Sequence, residues 1–139
     1  MTTALERVRA IFREAPFVVD LGIEPVSIEP GRCETVLVLQ PRMGQHTGQA
    51  HAGVVTTLAD HTAGAAAQSM IEGAGMAITA ELKISLLRPA SGERLVCRAH
   101  VVKPGRQFMF TEAEVHCVRD GQSQLVAKLS ATMAVVQPK

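Results

Sequence analysis

From Met76 to the C-terminus, apolar and polar positions alternate over four long runs, and that period of two predicts strands: Met76–Leu87, Arg94–Val102, Gln107–Val118 and Gln124–Val136. The joining segments RPASGE, KPGR and RDGQ are turn-formers, and Asp120-Gly121 is a strong hairpin signal. Such short connections require antiparallel neighbours, because a parallel crossover needs a dozen or more residues.

The first half is punctuated differently. Thr3 and Glu6 have capping-box spacing, and Leu5, Val8 and Phe12 follow at helical intervals until Pro16 stops the run. From Phe17 the texture is extended, FVVDLGIEPVSIEPG and then RCETVLVLQ, with Pro30 and Gly31 at the turn between two strands and Pro41 ending the second. The loop PRMGQHTGQA leads into a long helix over Gly53–Glu72, which Gly73 can end in a left-handed conformation. Val54, Leu58, His61 and Ala65 form its apolar stripe, and AGAAA permits close approach of sheet and helix. The plan is α-β-β-α-β-β-β-β, an α+β fold in which a curved antiparallel sheet wraps one long central helix.

At 139 residues the chain suits one domain, 1–139. Its 14 basic and 13 acidic side chains nearly cancel and only 3% of residues are aromatic, which argues against nucleic acid as a partner. No apolar run approaches a membrane span and the N-terminus is charged rather than signal-like, so the expected location is the cytoplasm. Cys33, Cys97 and Cys117 are an odd, widely spaced set inside strands, read as reduced structural thiols.

The stretch GQAHAGVVTTLADHTAGAAA carries the candidate chemistry. His51, Ala52 and Gly53 place backbone N–H groups at a helix start, where the peptide dipoles favour developing negative charge. Asp60 lies two turns beyond Gly53 on nearly the same face. His46, His51 and His61 do not have the i, i+4 spacing of a helical zinc pair, so no metal is expected, and nothing in the chain calls for a cofactor.

These residues resemble the hotdog-fold acyl-CoA thioesterases, specifically the phenylacetate-pathway (PaaI-type) branch, over nearly the whole chain. The family's Asn, Gly and His-Gly-Gly before the central helix correspond to Gln45, Gly48 and His51-Ala52-Gly53, and its helix acid to Asp60. AITAELKISLLRPA is similar to the family's following strand, with Thr79 where relatives carry a Ser or Thr facing the acid, and VVKPGRQFMF resembles its Gly-Arg turn. The sequence departs from the pattern at Gln45, where Asn is usual, and at Ala52, which replaces the first Gly.

The resemblance implies a thioester hydrolase. The Ala52 and Gly53 N–H groups would hold the oxyanion, Asp60 would act as general base or nucleophile, and Gln45 and Thr79 would complete the catalytic set. His51 would support the site, with Gly48 in the binding loop, and Arg88, Lys103 and Arg106 would meet the phosphates of coenzyme A. It also implies a homodimer, and a homotetramer built as a dimer of dimers, with Asp60 and Thr79 of one subunit facing Gln45 and Ala52 of the other. Two other readings use the same scaffold. One is a non-catalytic acyl-CoA-binding protein with the acid idle. The other is a hydratase or dehydratase, for which His61, adjacent to Asp60 and so about 100° around the helix, is poorly placed.

Overall fold

The computed structural model describes residues 3–139. Helix α1 spans Ala4–Glu14, and the expected capping box is present: Glu6 N–H donates to Thr3 Oγ1 and Thr3 N–H to Glu6 Oε2. Val8 and Phe12 are its buried residues.

The segment after Pro16 is a correction to the sequence reading. Residues Pro16–Leu21 form a second helix, α2, where extended chain was expected. Proline at the first helical position is preorganised for a helix, and Gly22, at φ 89°, ends the turn in the left-handed region. The apolar FVV run therefore reflects one buried residue, Val18, on a short helix whose Phe17 and Val19 stay exposed.

Strands β1 (Glu24–Glu29) and β2 (Arg32–Val38) form the first hairpin, and a single 3-10 turn at Pro41–Met43 opens the loop toward helix α3, Ala52–Gln68. Strands β3 (Met76–Leu86), β4 (Arg94–Lys103), β5 (Phe108–Arg119) and β6 (Gln122–Val136) complete the chain. Asp120 and Gly121 both have positive φ, as a two-residue type I′ hairpin requires. The six strands form one antiparallel sheet in the order β1-β2-β4-β5-β6-β3, leaving β1 and β3 as its edges.

Helix α3 lies across the inner face of this sheet. Of the expected stripe, Leu58 and Ala65 are buried and Val54 and His61 only partly so, while Val55, Ala59, Thr62, Ala63 and Ala66 widen the buried face by the i, i+3, i+4 rule. Ala59, Ala63, Ala65, Ala66 and Ala67 are fully buried, and their small side chains let Leu37, Leu95, Val115, Leu129 and Met133 of the sheet close over the helix.

The helix also ends earlier than Glu72. Ser69 is its C-cap, in a right-handed conformation, and Gly73 bends the loop beyond it. Two buried polar side chains fix this end. Ser69 Oγ accepts from Gly31 N–H at 2.8 Å in the β1–β2 turn. Gln68 Nε2 donates to the Gly75 carbonyl at 3.0 Å, and its Oε1 accepts from Ala77 N–H at 2.9 Å. Each buried amide group is thereby satisfied, and β3 is held in register with α3.

Candidate active site

The sequence-predicted residues separate into two groups. The first surrounds the start of α3. The hairpin of residues 44–50 is closed by the Gln45 N–H to Gln49 carbonyl bond at 2.8 Å, with Gly48 at φ 90° in its turn. His51 is the N-cap residue, and its Nδ1 accepts from Gly53 N–H at 2.8 Å. That bond corrects one expectation: Gly53 N–H is occupied by His51. It also fixes the imidazole as the tautomer protonated on Nε2. Ala52 N–H, in contrast, has no acceptor among the described residues and is exposed at the positive end of the helix dipole.

A cavity of about 350 Å³ opens beside Ala52, lined by Gln45, Gln49, His51, Val55, Leu87 and Arg88 among others. Gln45 Nε2 donates to Gln49 Oε1 at 3.2 Å, so the amide that replaces the family's Asn is steadied by a neighbouring glutamine that sequence reasoning did not single out. Arg88 donates to the Leu125 carbonyl at 2.8 Å, which holds its guanidinium at the cavity wall.

The second group lies where α3 crosses β3. Thr79 Oγ1 donates to Asp60 Oδ1 at 2.7 Å, and both residues are partly buried. The register of β3 breaks between Thr79 and Glu81, a bulge at the residue next to Thr79. Bulges commonly re-aim side chains beside sites. Within one chain, Asp60 stands eight residues along α3 from Ala52, about 12 Å at the α-helical rise.

Lys103 and Arg106 do not join the cavity beside Ala52. They sit at the β4–β5 hairpin, beside the end of the sheet where Phe108 pairs with Ala134 and Ala134 with Ile78, whereas Arg88 follows the opposite end of β3. His61 is likewise directed away from Asp60. Its ring meets Phe12 of α1 edge-on, with centroids 4.6 Å apart. Burial pushes its pKa down, against the opposing pull of the Asp60 carboxylate, so the ring is neutral near pH 7. Asp60 and His61 therefore do not form the acid–imidazole pair that a dehydratase would need.

The sequence profile of the thioesterase superfamily matches residues 47–124, from the loop before α3 into β6. The chain belongs to that superfamily. A solved thioesterase family protein from Silicibacter pomeroyi is 35% identical, covers 97% of this chain and 99% of its own, and superposes with a TM-score of 0.95. Two more distant structures share the fold. The Escherichia coli PaaI protein of the phenylacetic acid degradation operon is 22% identical, with coverage of 98% and 95% and a TM-score of 0.86. A Streptococcus mutans protein bound to acetyl CoA is 24% identical, with coverage of 85% and 91% and a TM-score of 0.73. The thioesterase-superfamily chain thus has the hotdog fold, and its likeness to PaaI extends over nearly its whole length. No helix among the described residues is long and apolar enough to cross a membrane.

Proposed function

We propose that this chain is a single-domain acyl-CoA thioesterase that works as a homodimer, with each site built from both copies. The observation that carries the reading is the pairing of a free N–H donor at a helix start with a separately held carboxylate, Asp60, on the same helix. Thioester hydrolysis passes through a tetrahedral oxyanion, and a preorganised N–H aimed at that oxygen contributes about 3 kcal/mol to the barrier reduction. Ala52 N–H fills this role, with Gln45 as a second polar contact to the carbonyl. Asp60 either takes a proton from water, which then attacks the carbonyl carbon, or attacks directly to give a mixed anhydride that water hydrolyses. In both routes the thiolate of coenzyme A leaves and is protonated.

One carbonyl cannot meet both groups of the same chain across about 12 Å. A two-fold axis perpendicular to α3 would resolve this, because it would set two α3 helices antiparallel and bring Asp60 and Thr79 of one copy toward Ala52 and Gln45 of the other. Strand β3 favours the same arrangement. It is an edge of 11 residues with Met76, Ile78 and Leu86 about half exposed, and pairing with a second β3 would cover it. Val102, Phe108 and Phe110, exposed on the outer face of the sheet, supply a further surface for a dimer of dimers. Arg88 at the cavity wall, with Lys103 and Arg106 from the partner's side, would meet coenzyme A phosphates. A cytoplasmic setting suits that substrate.

The test is release of free coenzyme A from aryl-, short- and medium-chain acyl-CoA thioesters by wild type and Asp60→Asn, followed chromatographically. Turnover by wild type that falls roughly 10²- to 10⁴-fold in the variant is expected of a general base. A loss below about threefold would remove Asp60 from the chemistry. Tight binding with no turnover by either protein would favour the non-catalytic acyl-CoA-binding reading.

A further inference from the structure

A second cavity, of about 470 Å³, lies away from Ala52 at the other edge of the sheet, between α1, the end of α2 and β1. Its apolar surface comes from Val19 and Val26, 51% and 57% exposed, while Phe12 and Ile23, 5% and 3% exposed, close its base. Arg9 and Arg13 line the same cavity from one side of α1. Neither arginine forms an ion pair with any carboxylate among the described residues.

Two like charges four residues apart on a helix oppose each other. Arg13 has a local reason to be there, since a cation in the last turn of α1 suits the helix dipole, but Arg9 is a turn too early for that. Glu24 also lines the cavity, yet it approaches neither guanidinium within ion-pair distance, so the mouth keeps a net positive charge. Exposed Val19 and Val26 beside two unpaired guanidiniums match one ligand class: an apolar chain that ends in an anion. Guanidinium forks bind a carboxylate or phosphate through parallel charge-assisted hydrogen bonds, while the chain displaces water from Val19 and Val26.

We infer that the α1–β1 groove is a second binding site, separate from the Ala52 cavity, for an acyl chain bearing a carboxylate or phosphate head group. The inference stands on this groove alone and does not require the thioesterase chemistry. Decanoate, decyl phosphate and decan-1-ol serve as probes on the full chain. Because the sequence contains no tryptophan, Val26→Trp installs a single fluorescent reporter at the groove. Calorimetry on the unmodified protein provides the same constants should that variant fold poorly.

The expected result is saturable decanoate or decyl phosphate binding that weakens about tenfold or more in Arg9→Gln/Arg13→Gln, with coenzyme A release unchanged in that variant. The tighter of the two anions identifies the head group. Equal affinity in wild type and the double variant would place the ligand elsewhere and overturn the inference, as would decan-1-ol binding as tightly as either anion. If no probe binds and the double variant instead self-associates less by sedimentation, the groove is a contact between copies and the inference is wrong.

Discussion

Thr79 Oγ1 donates a 2.7 Å hydrogen bond to Asp60 Oδ1, joining edge strand β3 to the central helix at one carboxylate oxygen. The bond holds one carboxylate oxygen, and Oδ2 has no hydrogen-bond partner among the described residues, leaving it free for the proposed role. Removing the bond should loosen the orientation of Asp60 without removing its charge. Thr79→Val, which keeps the shape and deletes the hydroxyl, is expected to lower kcat about tenfold with little change in KM, because orientation matters most in the transition state. Thr79→Ser should recover most of the loss. An equal effect of Val and Ser on kcat would mean that the methyl group, not the bond, is what matters.

The free donor at the helix start permits an unusually clean test. Ala52 is the first residue of α3, a position where proline is favoured, and His51 already has the extended backbone, φ −62° and ψ 142°, that a residue before proline requires. Ala52→Pro therefore deletes one N–H and should leave the fold intact. Its kcat is expected to fall by about 10²- to 10³-fold, the usual worth of an oxyanion donor, while Ala52→Gly, which keeps the N–H, stays within a few-fold of wild type. Matching thermal unfolding curves for the proline variant and wild type would tie the loss to the missing donor. Wild-type kcat in a folded Ala52→Pro would move the oxyanion to another group.

Much of this site was legible in the sequence because its signals are local. Alternation and the turns KPGR and RDGQ specify the four late strands, and a polar loop before small helical residues marks the start of α3 within a residue. The motif places Asp60 and Thr79 opposite each other, as the structure has them. What the sequence concealed depends on geometry at a distance. The FVV run has strand-like residues, yet Pro16 and Gly22 frame it as one helical turn and a half. The end of α3 was set by Gln68 and Ser69, whose partners lie in the β3 lead-in and the β1–β2 turn, so Gly73 was the wrong punctuation. The competition of His51 Nδ1 for Gly53 N–H is a matter of one rotamer.

The buried titratable groups set opposite limits on stability. Burial pushes the thiols of Cys33 and Cys97 up to about 12 from 9.0. Between those values the unfolded chain loses thiol protons that the folded chain keeps, so folding stability falls as pH rises above about 9. For His61, burial lowers the folded pKa below 6.5. There the unfolded chain gains a proton that the folded chain resists, so this contribution is complete above pH 6.5 and is lost as pH falls below it. Urea midpoints are expected to be highest between about pH 7 and 8.5, with the acid limb flattened in His61→Leu and the alkaline limb flattened in Cys33→Ala/Cys97→Ala. The folded protein at pH 8 should also resist thiol alkylation at both cysteines until denaturant is added. An acid limb unchanged by His61→Leu would assign it to the carboxylates instead.

The proposed assembly of each site from two chains makes its own prediction. On that proposal Asp60→Asn and Ala52→Pro should each be nearly inactive, since every site in either homodimer would lack one essential group. In a dimer containing one copy of each variant, the two defects fall together in one site, and the other site has a normal Ala52 from one chain and a normal Asp60 from its partner. Co-expression with random pairing makes half the dimers mixed, each with one competent site, and should restore about a quarter of wild-type coenzyme A release. A site contained within one chain would give no such recovery, because each chain would carry its own defect. Separately purified variants mixed under conditions that forbid exchange supply the baseline. Activity of the co-expressed pair indistinguishable from that baseline, with mixed dimers verified by two different affinity tags, would show that Ala52 and Asp60 of different chains do not share a substrate.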